Sequence, residues 1–82
     1  MEQEVNILKK LLNNQIFLSN FPLIRYVNVD LYGIQNIDVV FNFVDEFVYA
    51  DYKDFQIEAR ELIYQLAKYA GINPRFISIY PQ

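Results

Sequence analysis

Eighty-two residues, more than half of them apolar and including seven Phe and seven Tyr, form one domain spanning 1–82. A domain of that size buries roughly 60–65% of its unfolded surface, and the composition excludes a disordered chain. The net charge of −3, with seven scattered basic residues, argues against nucleic acid as a partner, because counterion release needs clustered Lys and Arg. Without a single Cys or His, neither disulfides, thiolate metal sites, cysteine catalysis nor a histidine-activated nucleophile is available.

Residues 2–18 read as an amphipathic helix. Val5, Leu8, Leu12 and Ile16, with Leu11 beside them, share one face; Glu2 and Glu4 stand near the start and Lys9 and Lys10 follow, the order that the helix dipole favours. Asn13-Asn14 weakens the middle and predicts an early end, with Ile16-Phe17-Leu18 as an apolar connection. Pro22 stops the segment by disfavouring helical geometry at Phe21. The acidic start, followed by an amphipathic rather than continuous apolar stretch, predicts no signal peptide and no membrane span, so the cytoplasm is the expected location.

Residues 24–45 organise the fold. Val27, Val29 and Leu31 alternate with Tyr26, Asn28, Asp30 and Tyr32, and Ile37, Val39, Phe41 and Phe43 alternate with Asp38, Val40, Asn42 and Val44. That period of two marks strands with one buried face. The link between them carries Gly33 and Asn36, both tolerant of positive φ, and predicts an antiparallel hairpin. After Asp45 the alternation slips, so 46–50 is expected to form a bulge, a bend or a connecting loop.

A second helix then follows, with Asp51 as N-cap and Asp54 three residues on, or with Asp54 itself as the cap. Its apolar stripe runs Phe55, Ala59, Leu62, Ile63, Leu66, Ala67 and Ala70, and Gly71 closes it at the C′ position. Residues 75–80 are β-branched and aromatic, predicting a short strand ended by Pro81. The order α-β-β-α-β predicts a small α+β domain with a three-stranded mixed sheet and both helices on one face. The other face is left uncovered. It carries Tyr26, Asn28, Asp30, Tyr32, Asp38, Val40, Asn42 and Val44, joined by either Phe76, Ser78 and Tyr80 or Ile77 and Ile79.

Residues suited to catalysis are scarce. Ser19 and Ser78 are the aliphatic hydroxyls and have no imidazole to activate them, which excludes a serine triad. The two glycines stand far apart, so there is no phosphate-cradling loop. No enzyme activity and no cofactor are expected. The acidic segment Asp45, Glu46, Asp51 and Asp54 offers oxygen ligands for a hard cation, and a cation-responsive regulatory domain is the alternative reading; the spacing lacks the glycine and ligand alternation of a calcium loop.

The stronger signal is the open face. Tyr26, Tyr32, Val40 and Val44, with Asp30 and Asp38 among them, place aromatic and aliphatic area in water, as interaction surfaces do. Ile57 and Tyr64, seven residues apart on the last helix, form a second candidate. Bases also stack on exposed rings, but the carboxylates here oppose phosphate. The chain is therefore expected to be an acidic protein–protein interaction module, an adaptor, inhibitor or self-associating regulator, with a homodimer or one larger protein as partner. The same order of elements resembles that of a class of KH domains, of iron–sulfur scaffold domains and of the dimerisation domain of cation-efflux transporters. Their Gly-x-x-Gly loop, paired cysteines and histidine ligands have no counterpart here.

Overall fold

The structure, a computed structural model, describes residues 1–45 and 49–81, with the backbone alone at 49–51. Helix α1 spans Glu2–Leu12 and buries Val5, Leu8 and Leu12. The Glu4 carboxylate lies 2.8 Å from the terminal ammonium, whose hydrogen bond holds it below the usual carboxylate range. The asparagine pair does end this helix, but a second short helix follows where Ile16-Phe17-Leu18 was expected to be an apolar connection. Asn14 is its N-cap, accepting a hydrogen bond from the Ile16 N–H at 2.8 Å, and α2 runs Gln15–Ser19. A residue that weakens a helix interior favours a helix start for the same reason, its short side chain competing for backbone N–H groups.

Strand β1, Ile24–Tyr32, pairs antiparallel with β2, Asn36–Phe43, and β2 pairs parallel with β3, Ile77–Tyr80, giving the order β1-β2-β3. The hairpin turns on Gly33, whose φ of +73° a β-branched residue would resist. The register shifts between Ile24 and Tyr26: Ile24 faces Phe43 while Tyr26 faces Asn42. That irregularity at Arg25 is a bulge. It lets Ile24 reach the core although it stands three residues from Val27, an odd interval that a regular strand would send to the opposite face. The phase slip read in 46–50 falls largely outside the described residues, since 46–48 are not among them.

Helix α3, Tyr49–Tyr69, starts earlier than expected, so Asp51 and Asp54 lie inside its first turns and neither is its N-cap. The apolar stripe therefore begins one turn before Phe55, at Tyr52, which is almost wholly buried. At the other end the Ile72 N–H reaches the Ala67 carbonyl at 2.8 Å and the Gly71 N–H the Lys68 carbonyl at 3.1 Å. With Gly71 at φ +88°, these are the two bonds of a Schellman motif. A single 3₁₀ turn, Pro74–Phe76, capped by Asn73, leads into β3.

The core is one cluster between the helices and one sheet face, holding Leu8, Leu12, Val27, Val29, Ile37, Val39, Ile63, Ile72, Ile77 and Ile79 among others. An aromatic chain runs through it. Phe17 and Phe21 meet at 5.0 Å, Phe21 and Phe55 at 5.4 Å, and Tyr52 packs at 5.3–5.5 Å from Phe55, Phe41 and Phe43. Phenylalanines and Tyr52 thus supply the aromatic interior, while Tyr26, Tyr32, Tyr69 and Tyr80 are exposed. Burial of Ile77 and Ile79 decides the facing of the last strand: Ser78 and Tyr80 lie on the uncovered side.

Candidate functional site

The uncovered sheet face is built by alternation and register. Opposite the buried row Val27 and Val29 stand Tyr26, Asn28, Asp30 and Tyr32; opposite Ile37, Val39 and Phe41 stand Asp38, Val40 and Asn42. Cross-strand pairing sets Tyr26 beside Asn42, Asn28 beside Val40, and Val40 beside Tyr80. It also sets Asp30 directly against Asp38, with Ser78 on the far side. Tyr26, Tyr32 and Tyr80 are 45%, 68% and 40% exposed. Tyr32 stands one row from the carboxylate pair, Tyr80 one row to its other side and Tyr26 one row further, and no lysine or arginine occupies a position in these rows. Like charges directly opposite each other cost about 0.2–1 kcal/mol, and nothing on the strands offsets it.

The structure brings together five of the expected site residues, Tyr26, Tyr32, Val40, Asp30 and Asp38, on neighbouring strands, and Tyr80 from β3 joins them on the face. Val44 does not extend the row, because β2 ends at Phe43 and Val44 enters a bend whose N–H donates to the Leu23 carbonyl at 2.9 Å. Ile57 and Tyr64 do not make one exposed patch either. Ile57 is exposed beside Glu58 and Glu61, whereas Tyr64 is half-buried against the core and lines a hollow with Arg60 and the flank of β3.

Two features were not evident in the sequence. The first is an apolar hollow of about 250 Å³ where α2 meets α3, lined by Leu11, Ile16, Phe17, Leu62 and Leu66. It exists because α2 turns Ile16 outward, to 78% exposure, where a continuous helix would have kept it in the stripe. The second is the outer edge of β1. The Asn13 carboxamide accepts from the Val27 N–H at 2.8 Å and donates to the Val27 carbonyl at 2.8 Å. It thereby takes the place of a neighbouring strand at one position of the edge. Asparagine at a helix end is common enough that sequence offers no sign of this contact.

Among the described residues, no three His, Cys, Asp or Glu side chains gather as a metal-holding group. Of the acidic segment, Asp45 and Asp54 are exposed; Glu46 and the side chain of Asp51 lie outside the described residues. Among those residues, no helix is long and apolar enough to cross a membrane. Comparison of the chain with family models, with curated proteins and with solved structures gives no match.

Proposed function

We propose that this chain is a non-enzymatic protein–protein interaction module whose open sheet face docks on a basic surface of another protein. The observation that carries this reading is the Asp30–Asp38 pair on the same face as the exposed Tyr26, Tyr32 and Tyr80, a face that no helix or strand among the described residues covers. Tyrosine suits such a surface, with an apolar ring to bury and a hydroxyl that tolerates water. The carboxylates supply steering and specificity for cations. A second copy is the poorer occupant. Two such faces brought together would bury four carboxylates with no counter-charge, and unpaired buried charge is costly.

The test places a photo-crosslinking amino acid at position 26 or 80, and as a control at Tyr69, which is exposed on the helical side. Discrete crosslinked protein species are expected from 26 and 80, lost when Asp30→Lys and Asp38→Lys are combined. Equal products from position 69, or none from the sheet face, would refute the reading. Light scattering over a range of concentrations is expected to show a monomer. A stable dimer dissociated by Tyr32→Asp would assign the face to self-association instead.

A further inference from the structure

We infer that the outer edge of β1 accepts an extended segment of a partner protein as a fourth strand, with Lys or Arg on the row that passes over Asp30. This inference rests on the reading of the open face and specifies how a partner is held there. Val27 gives both its N–H and its carbonyl to Asn13, so these groups point away from β2. Backbone direction repeats every second residue along an antiparallel strand. Val29 and Leu31 therefore direct their N–H and C=O groups to the same outer edge, where among the described residues no strand pairs with them; Leu31 is 40% exposed and Val29 only 3%, so the edge is open from Leu31 toward the hairpin tip and narrows at Val29. An edge of this kind is a template for strand addition. The opposite edge of the sheet is less able to serve, because β3 has four residues and is followed by Pro81.

Charge selects the occupant. Residues of an added strand that sit opposite Asp30 project over the open face, beside the Asp30–Asp38 pair and the ring of Tyr32. Those opposite Val29 and Leu31 project toward the helical side, where Asn6, Lys9, Lys10 and Asn13 line one shallow hollow. An alternating segment, basic on one row and acidic or polar on the other, matches both sides. A second copy of β1 matches neither. Centred on Asp30, the two-fold register sets Asp30 against its own counterpart, a like-charge pair. Centred on Val29, it meets Asn13 at Val27. Centred on Leu31, it sets Val29 against Gly33, whose φ of +73° leaves the extended conformation.

The probe is an end-blocked nine-residue peptide alternating Lys with Glu or Val. Its control carries N-methyl groups on the residues between the lysines, the ones that would bond to Val29 and Leu31. Binding is followed by amide chemical shifts and hydrogen exchange of labelled protein. The unmodified peptide is expected to bind and to slow exchange of the Val29 and Leu31 amides relative to the free protein, most at Leu31, the more exposed of the two. Leu31→Pro removes one outward donor without touching the β1–β2 ladder, and Asp30→Lys reverses the selecting charge; each is expected to weaken binding about tenfold. The N-methylated control tests the same bonds on the wild-type fold, should Leu31→Pro unfold.

Absence of binding up to about 1 mM, equal binding of the methylated peptide, or binding without protection at Val29 and Leu31 overturns the inference. Shifts confined to Tyr26, Val40 and Tyr80, unaffected by Leu31→Pro, would leave the face reading standing and remove the edge. If no peptide binds at all, crosslinking from position 80, two strands away from this edge, still reports on the face alone.

Discussion

Asn13→Ala removes three hydrogen bonds at once, and the structure allows their cost to be apportioned. The bond from Nδ2 to the Lys9 carbonyl, 2.8 Å, matters least, because that carbonyl also accepts from the Asn13 N–H at 3.1 Å. The two to Val27 matter most, since that backbone position has no other partner on its outer side and is partly buried. At about 1 kcal/mol net per bond, the loss is about 2 kcal/mol, with water at the open edge setting a floor of about 1 kcal/mol. Asn13 sits at the C-cap with φ −108° and ψ 10°, outside the helix interior, so alanine regains nothing through propensity. A domain of this size loses about 4–8 °C per kcal/mol, so the midpoint should fall by about 10 °C. Urea unfolding followed by circular dichroism should show a lower midpoint with an unchanged slope, and the Val27 amide should exchange faster. A loss below about 0.5 kcal/mol, or a Val27 amide that stays protected, would refute the assignment of Asn13 as the edge lock.

Asn13→Asp keeps the acceptor for the Val27 N–H but turns a carboxylate oxygen toward two carbonyls. Its folded pKa should lie above the unfolded value, so its stability contribution is present at low pH and lost as pH rises through the folded pKa. The deficit relative to wild type should therefore grow from acid to neutral solution in urea titrations at several pH values. Asp38→Asn should stabilise the fold by about 0.5 kcal/mol through relief of the Asp30–Asp38 repulsion, with a smaller gain at high salt when measured by the same unfolding assay. Tyr52→Ala removes the ring on which Phe41, Phe43 and Phe55 converge and should cost about 3–5 kcal/mol, enough to abolish a cooperative melt. Gly71→Ala should cost about 1–2 kcal/mol from backbone strain alone. Its new methyl would meet the Glu4 Cγ at an ordinary 3.7 Å, so Gly71→Asn, which tolerates positive φ, should recover part of the loss in thermal melts.

Much of the fold was legible because its signals are local. Period-two alternation identified both strands of the hairpin, period 3.6 the stripe of α3, and Gly71 the end of that helix. The misreadings have local causes as well. Asp51 and Asp54 resemble caps, yet α3 begins at Tyr49 and extends through both, and Tyr52 between them is buried in the aromatic cluster. Spacing alone offered a hint, since positions 52, 55, 59 and 63 continue one stripe. Leu31 shares the row of Val27 and Val29 but is exposed, being near the hairpin tip on the outer strand, while its neighbour Ile37 on the central strand is fully covered.

The candidate site divides along the same line. Residue alternation alone determined that Tyr26, Asp30 and Tyr32 share one face and that Asp38 and Val40 share another, because side-chain direction in a strand depends only on parity. Pairing those faces into one surface needed the hairpin register. Adding Tyr80 needed the facing of β3, which depends on which of its two rows the helices cover. The edge of β1, and the amide of Asn13 that closes it at Val27, joins residues fourteen positions apart through backbone atoms. Such a contact leaves no trace in side-chain patterning, since every residue offers the same backbone groups, and only the packing of α1 beneath the sheet decides which of them remain open.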